Sequence, residues 1–389
     1  MDRIYFDNGS TSFPKAPHVA EKMAELLTKG AFNINRGSYE EAYEVEEAVL
    51  ETREKLAKLF HAEDSRQVIF TPGITYSINL FLKGLLKSGD HIIITSMEHN
   101  AVMRPLCQLE KQGITYDVVR GDSCGMVRAE DFEPFIRKET RAVLMLHASN
   151  VCGTILPIEE VGKICKKHHI FFAVDTAQSA GTIDVDMKKC QIDFLAFTGH
   201  KGLLGPQGIG GFLISEELDK VLQPVIAGGT GSQSDSLEQP SYLPDKYESG
   251  TMNLPGIIGL HAALTYLEEE TVEKLHDKKM ELTAYFLQEI QRFPWIRVVG
   301  EQGMENRVSV VSLDFRDMDN SMMAFELEQK YQIMTRVGLH CAPKAHETLG
   351  TFPQGTVRFA FSAANKKEEI DVCIRAFEEM DTYRDNLDK

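Results

Sequence analysis

Four short segments carry polar side chains where apolar strands are predicted to end, and buried strands have no need of such side chains. The first is TPGIT at residues 71–75, between a predicted strand and a predicted helix. Gly73 lets the backbone approach closely, and the free amides of the helix N-terminus, together with the Thr75 hydroxyl, could hold a phosphate. The segment also suits an ordinary strand–turn–helix junction with a threonine cap. Taken alone, it leaves both interpretations open.

The other three segments place a histidine, an acid and a lysine at further strand ends. His99 follows HIIITS, Asp175 ends an apolar strand, and Lys201 lies between glycines in TGHKG. Such a histidine can lie flat on an aromatic ligand or move protons, and a buried acid calls for a cation or a protonated nitrogen. A partly desolvated amine can form a Schiff base. A structural histidine, a helix N-cap and a surface lysine are the alternatives for each residue alone.

Together the four segments predict a site for pyridoxal 5'-phosphate (PLP). PLP requires a phosphate cradle, a residue that stacks on its ring, an acid for the pyridine nitrogen and a lysine, and the segments occur in that order. The lysine segment lacks the spacing of a Walker A loop, which argues against an ATPase. The twelve histidines show no HExxH or other paired ligand spacing, which argues against a metal hydrolase.

The composition narrows the class of protein. The chain has 389 residues, 43% of them hydrophobic and 26% charged, which is typical of a globular protein with two packed domains. A net charge of −16 argues against nucleic acid or membrane as the main partner. No signal-peptide core or membrane-spanning run is present, and seven cysteines without a CxxC pair suit a reducing compartment. The sequence therefore predicts a cytoplasmic protein.

Alternating apolar runs and helical periods predict the elements that position these segments. Strands are expected at seven places, and their continuous apolar character indicates a mostly parallel sheet that binds ligands beyond its carboxyl ends: 67–71, 91–96, 114–120, 141–148, 171–176, 193–198 and 209–215. Residues 227–247 show no period and are predicted to form a loop. After Pro255 a helical pattern runs for some 35 residues. Further strands at 296–299, 307–315 and 356–361, with helices at about 319–331 and 367–384, complete a smaller α+β domain.

The chain resembles, over essentially its whole length, the cysteine desulfurase and selenocysteine lyase family of class V aminotransferases. The motifs that carry the resemblance are YFDNGSTSFP at residues 5–14, MEHN, VDTAQ, TGHK, YESGTMN, RVGLHCAP and TVRFAFS. The resemblance implies fold type I of the PLP-dependent transferases and a homodimer that removes sulfur or selenium from L-cysteine or L-selenocysteine. It also implies an acceptor protein for the sulfur or selenium. The expected regions are an N-terminal segment (1–15), a large PLP-binding domain (16–255) and a small domain (256–389).

The resemblance also implies roles for single residues. Lys201 would form the Schiff base, His99 would stack on the ring and move protons, and Asp175 would pair with the pyridine nitrogen. Gln178 and Asn150 would approach the ring oxygen. The phosphate would bind at Gly73, Thr75, Thr198 and His200, with Gly250 and Thr251 completing the site of the neighbouring subunit. The substrate would contact Arg358, as a clamp for its carboxylate, together with Asn150 and Arg336.

Cys341 in RVGLHCAP separates a desulfurase from other enzymes of this fold. Removal of sulfur needs a thiolate nucleophile, whereas an aminotransferase does not. His340 is expected either to favour the thiolate or only to shape the loop, and we expect Cys341 and Lys201 to face a pocket that seats the ring. The short segment resembles the Suf-like type II members, although Leu339 replaces their usual histidine. A class V aminotransferase, another PLP lyase or epimerase, and a catalytically idle scaffold are the alternatives.

Overall fold

The computed structural model describes residues 3–30, 39–233 and 235–387. The strands are β1 (Ile4–Tyr5), β2 (Val68–Thr71), β3 (His91–Thr95), β4 (Thr115–Val119), β5 (Thr140–Leu146), β6 (Phe171–Asp175), β7 (Phe194–Thr198), β8 (Gly210–Ile214), β9 (Arg297–Val299), β10 (Val310–Asp314), β11 (Ile333–Met334), β12 (Arg336–Gly338) and β13 (Thr356–Ala360). The helices are α1 (Val19–Lys29), α2 (Glu40–Leu59), α3 (Ile74–Leu85), α4 (Asn100–Glu110), α5 (Ile158–Lys167), α6 (Glu216–Asp219), α7 (Leu254–Glu270), α8 (Val272–Ile290), α9 (Asn320–Tyr331), α10 (Pro343–Thr348) and α11 (Lys367–Leu387). No helix within these ranges has both the length and the apolar character that crossing a membrane requires.

The seven predicted strands of the large sheet are all present, each within two residues of its expected bounds. Their order is β2-β8-β7-β6-β5-β3-β4, with β8 antiparallel to both neighbours and the other pairs parallel. Ile92 and Ile94 pack in one apolar core and Ile93 in another, because successive side chains of a strand point to opposite faces. Both faces are therefore covered, and the predicted α/β class with a mostly parallel seven-stranded sheet is confirmed.

A second, antiparallel sheet has the order β12-β13-β10-β9 and its own apolar core. The N-terminal residues join this core: Ile4 pairs with Ile333 of β11, and Phe6 packs against Phe359. β11 and β12 were not predicted, because two or three residues are too few to show a period. The proposed domain boundaries at residues 15 and 255 stay predictions.

The helical stretch predicted after Pro255 is present, and the structure divides it into two helices, α7 and α8. They meet at Thr271, whose φ of 65° lies outside the helical region. The Thr271 hydroxyl accepts a hydrogen bond from the amide of Lys274 and so caps the second helix. The apolar period continues across the junction, which is why the sequence pattern shows no break. Residues 227–247 form no helix or strand at the positions the structure describes, as predicted.

Candidate active site

The predicted acid and the predicted lysine meet at the carboxyl end of the large sheet. Asp175 ends β6, and burial raises the pKa of its carboxyl, while the Ala177 amide, 2.8 Å from Oδ1, and the charge of Lys201 act in the opposite direction. Lys201 follows β7 by three residues, and burial lowers the pKa of its amine to about 8, with Asp175 partly opposing that shift. The amine is therefore neutral in a sizeable fraction of molecules near pH 8.

His99 lies at the N-terminus of α4. Its Nδ1 accepts a hydrogen bond from the Ala101 amide at 3.0 Å, so the ring caps the helix as well as facing the site. Burial, together with the nearby charges of Lys201 and Arg336, lowers the pKa of His99 to about 4. The imidazole is thus neutral at pH 7, with its proton on Nε2 because Nδ1 is an acceptor.

A cavity of about 290 Å³ is lined by Thr75, His99 and Cys341. This volume is near the lower end of the roughly 300–1,000 Å³ typical of ligand pockets. Gly73 lies at the N-terminus of α3, and a Cβ there would meet no atom within 4 Å, so this backbone is open to a ligand. The helix N-terminus and the Thr75 hydroxyl are thus available to an anion.

Lys201 and Gln178 line a different, smaller cavity of about 40 Å³. Gln178 donates a hydrogen bond from Nε2 to the Gly9 carbonyl at 3.0 Å. The expectation that Lys201 and Cys341 face one pocket therefore differs from the structure, in which they line two cavities. His99 lines the larger cavity and is close enough to Lys201 for that charge to lower the pKa of His99.

Arg358 is buried on β13 and held by three acceptors. Nη1 donates to the Asn150 carbonyl at 2.9 Å, and Nη2 donates to Asp7 Oδ1 at 2.9 Å and to Ser10 Oγ at 2.8 Å. In the described part of the chain, Nε of Arg358 and Oδ1 of Asn150 are buried without a partner. A buried donor or acceptor without a hydrogen-bond partner costs free energy unless a ligand supplies that partner. Both residues therefore suit their predicted contacts with a ligand.

The thiol of Cys341 is exposed and lies beside a cation. Arg336 is paired opposite Arg358 across β12 and β13, donates from Nη1 to Ser10 Oγ at 2.7 Å, and places Nη2 3.8 Å from Cys341 Sγ. His340 points the other way: it is buried, its Nε2 is 3.0 Å from Thr356 Oγ1, and burial lowers its pKa to about 2. His340 is therefore neutral, so it shapes the loop, and the cation beside the thiol is Arg336.

The remaining residues that were predicted to bind the phosphate are Thr198, His200, Gly250 and Thr251. Thr198 is buried at the end of β7, and Nδ1 of His200 is buried with no partner within the described residues. Gly250 and Thr251 are exposed and do not line the cavity of Thr75 and His99 within the chain. Their predicted part in a neighbouring subunit's site stays a prediction. No group of three side chains suited to a metal ion occurs in the described ranges.

The N-terminal loop that closes the site was not predicted from the single motifs. Asp7 and Ser10 bind Arg358, and Ser10 also binds Arg336. Gly9 passes over the guanidinium so closely that a Cβ would lie 3.0 Å from Cζ of Arg358. The signal available was the run Asp-Asn-Gly-Ser directly after a strand, which is typical of a tight polar turn.

These residues fit PLP. The open helix N-terminus at Gly73 and Thr75 suits its phosphate, the buried Asp175 suits a protonated ring nitrogen, and the half-buried Lys201, whose pKa desolvation lowers, suits its aldehyde. The unpartnered atoms of Asn150 and Arg358 provide further polar contacts for the cofactor or the substrate.

Comparison with known proteins agrees with this site. Residues 4–373 match the family model of class-V aminotransferases, a family of PLP-dependent enzymes. The probable cysteine desulfurase of Pyrococcus abyssi is 35% identical, and the match covers 97% of this chain and 94% of the relative.

Two solved structures extend the comparison. The apo structure of the cysteine desulfurase from Thermococcus onnurineus has a TM-score of 0.91 and 32% identity, covering 97% of this chain and 94% of the other. The cysteine desulfurase CsdA from Escherichia coli has a TM-score of 0.86 and 27% identity, with the same coverage. The predicted family and its PLP cofactor are thus confirmed: the chain belongs to the class-V aminotransferase family, and it is similar over nearly its whole length to proteins named as cysteine desulfurases or probable cysteine desulfurases.

Proposed function

We propose that this chain is a cysteine desulfurase that converts L-cysteine to L-alanine and keeps the sulfur as a persulfide on Cys341. The observation that carries the proposal is the exposed Cys341 thiol, 3.8 Å from Nη2 of Arg336, in a cavity that it shares with His99 and Thr75. An aminotransferase has no use for a thiol and a cation placed together at this point. The names of the full-length relatives support the same activity.

The chain's own residues would hold the cofactor and the amino acid. Lys201 would bind PLP covalently, Asp175 would keep a proton on its ring nitrogen, and the N-terminus of α3 beside Thr75 would bind its phosphate. Bound PLP supplies an electron sink that loosens the bonds at the Cα of the amino acid. Arg358 would bind the substrate carboxylate, for which its unpartnered Nε is an available donor.

Lys201 is also the group best placed to take the Cα proton. Its amine, whose pKa burial lowers to about 8, would be free to act as a base with the substrate bound. A base with a pKa near the working pH is efficient at both accepting and returning a proton. The neutral ring of His99 can carry a proton on Nε2, because its Nδ1 accepts a hydrogen bond from the Ala101 amide.

The sulfur transfer then belongs to Cys341. Its thiolate attacks the substrate sulfur, so that a bond forms between the two sulfur atoms while the bond from Cβ to sulfur breaks. The electron pair of the broken bond stays on Cβ, and a proton converts Cβ to the methyl group of alanine. The guanidinium of Arg336 places a positive charge beside the attacking sulfur.

The proposal is tested by Cys341→Ala with Cys107→Ala as its matched control, since both cysteines are exposed and free. We expect Cys341→Ala to abolish alanine and sulfide formation from L-cysteine while PLP absorbance stays unchanged, and Cys107→Ala to behave as the parent enzyme. Alanine formation at the parent rate by Cys341→Ala would reject the proposal. Formation of pyruvate in place of alanine would indicate a lyase that eliminates the β-substituent.

Three further parts of the proposal concern substrate and partners. L-selenocysteine would be a second substrate, because selenium is a better leaving group than sulfur and the selenol is largely ionised at neutral pH. The homodimer, with Gly250 and Thr251 reaching a neighbouring site, and a separate acceptor protein rest on the family resemblance. Comparison of the turnover rates of cysteine and selenocysteine tests the second substrate. The mass of the protein in solution tests the homodimer, and the dependence of turnover on added candidate acceptors tests the acceptor protein.

A further inference from the structure

A buried ion pair joins α2 to the loop between α6 and α7. Nη1 of Arg53 donates to Glu248 Oε1 at 2.9 Å, and Nη2 donates to Oε2 at 2.6 Å. This two-pronged geometry holds a carboxylate in one orientation. The two side chains are 8% and 7% exposed, respectively. Neither residue lines the cavity of Lys201 or that of Cys341, so the chemistry described above does not use them.

The pair completes the free edge of β2. Among the described strands, β2 lies at one end of the large sheet and pairs with β8 alone. On its other side, the Val68 carbonyl accepts from Nη1 of Arg53. The Phe70 amide donates to Oε1 of Glu248 at 2.7 Å. The guanidinium carbon also lies 4.6 Å from the centre of the Phe70 ring. The two side chains thus take the place of a neighbouring strand, and they fix Glu248 relative to the sheet.

Glu248 begins a short turn that is tied down at both ends. Residues 249–252 separate it from Asn253, whose Nδ2 donates to a backbone carbonyl at 2.8 Å and whose Oδ1 caps α7. Gly250 has a φ of 98°, in the region that favours glycine, and a Cβ there would meet no atom within 4 Å. The backbone of this turn is therefore open to another molecule, while its two ends are held in place.

Stability alone does not account for an ion pair at this place. Two apolar side chains of similar size can fill such a space, and replacing a buried ion pair in this way is often neutral or stabilising. A guanidinium fork on a carboxylate differs from apolar packing because it fixes both direction and distance. The pair therefore determines where the turn after Glu248 stands relative to the large sheet.

We propose that Arg53 and Glu248 are a positioning pair for the turn at residues 249–251, and through it for the PLP phosphate bound in the neighbouring subunit. The inference rests on the proposed homodimer, in which Gly250 and Thr251 reach that site. Because β2 leads directly into the N-terminus of α3, the same pair links the chain's own phosphate site to the turn that it offers to the other chain.

The first test replaces both residues at once, as Arg53→Met with Glu248→Met, so that no unpaired charge is buried. We expect a folded dimer whose dissociation constant for PLP, measured by equilibrium dialysis of the holoenzyme, is about tenfold higher, because the displaced turn loses its phosphate contacts. Lys55→Met is the matched control, since Lys55 lies on the same helix and binds Glu268 instead. The control should retain PLP as the parent does. Parent-like retention by the double variant would overturn the proposal.

Arg53→Lys is a milder variant that guards against a failure to fold. Lysine keeps the charge beside Glu248 but cannot bind both carboxylate oxygens and the Val68 carbonyl as a planar fork. We expect the urea unfolding curve of this variant to stay close to that of the parent and its dissociation constant for PLP to rise about threefold. An unchanged dissociation constant would overturn the proposal even if the double variant did not fold.

Mixed dimers show which site the pair serves. One chain carries Lys201→Ala, so the absorbance of lysine-bound PLP reports the other chain only. We expect weaker PLP retention when Arg53→Lys is placed in the Lys201→Ala chain, because the turn acts across the interface. Placed in the chain that keeps Lys201, Arg53→Lys should leave retention as in the parent. Any other pattern would overturn the proposal, because a merely structural role would weaken the chain that carries the substitution.

These measurements separate the inference from the proposed function. A monomeric parent protein would overturn the proposed homodimer and this inference together. A dimeric parent whose PLP retention is insensitive to Arg53 would overturn the positioning role alone. Results with Cys341→Ala bear on sulfur transfer, and they leave the PLP retention of the Arg53 and Glu248 variants unaffected.

Discussion

Nη2 of Arg336 lies 3.8 Å from the thiol sulfur of Cys341, and Nη1 of the same guanidinium is anchored on Ser10 Oγ at 2.7 Å. The anchor restricts the guanidinium to one side of the thiol. Because His340 is buried and neutral, Arg336 is the residue that supplies positive charge at the reactive sulfur. The cation beside the thiol is therefore an arginine on β12, five residues before Cys341.

Replacement of Arg336 by Met should slow alkylation of Cys341 at pH 7.5 by about three- to tenfold, because a cation beside a thiolate is lost. Arg336→Lys should fall between the parent and the Met variant, since lysine keeps the charge but cannot bind Ser10 and the thiol as a fork. Peptide mass spectrometry after timed iodoacetamide treatment measures the rate. Arg104→Met, in the same cavity, is the control and should leave the rate unchanged.

Lys201→Ala should remove the yellow absorbance of lysine-bound PLP and lower alanine formation by about 10²–10⁴-fold, because the proton-transferring amine is lost. Lys279→Ala is a matched control: burial lowers the pKa of Lys279 to about 8, as it does for Lys201, but Nζ of Lys279 faces Thr182. The control should keep the absorbance. Spectra of the purified proteins decide the outcome, and a yellow Lys201→Ala protein would contradict the assignment.

Glu98 should make the folded protein less stable as pH rises. It is fully buried, Oε1 accepts from Thr95 Oγ1 at 2.6 Å and from the Leu146 amide at 3.2 Å, and burial raises its pKa from 4.5 to about 8. Between these values the folded state holds a proton that the unfolded state has lost, so the free energy of unfolding falls with rising pH, by roughly 5 kcal/mol in total.

Glu98→Gln keeps the shape of the side chain and removes the titration, so its stability should fall less from pH 5 to pH 8 than that of the parent. Urea unfolding at several pH values measures the difference between the two proteins. Glu47→Gln on the exposed face of α2 should follow the parent curve. Parallel curves for Glu98→Gln and the parent would show that Glu98 does not titrate in this range.

Gly9→Ala should raise KM for L-cysteine by about tenfold with a smaller effect on kcat, since a shift of the Arg358 side chain weakens binding of the substrate carboxylate. The added methyl would lie 3.0–3.2 Å from Cζ, Nη2 and Nε of Arg358, which is too close without displacement. Steady-state kinetics measure both constants. Gly303→Ala, where the nearest atom is Glu301 Oε1 at 3.7 Å, is the control and should not change KM.

The local pattern of the sequence was enough to predict the large sheet and the identity of most of the site. Strands such as His91–Thr95 are continuous apolar runs because both faces of a parallel sheet are buried, and this leaves a clear signal. Asp175 and His99 then stand out as polar residues at strand ends. The family resemblance rests on motifs of the same local kind, such as TGHK around Lys201, and the comparisons confirmed the family.

The sequence by itself thus determined the sheet and the PLP family, and it predicted which thiol is reactive. Only the tertiary structure decided what surrounds that thiol. Asp7 binds Arg358 across 351 positions of sequence, and the pairing of β12 with β13 sets Arg336 opposite Arg358. The tertiary structure also turned His340 toward Thr356, and it placed Lys201 and Cys341 in the linings of two different cavities. Such contacts depend on the register between distant strands and on side-chain direction, which no local period or motif spacing records.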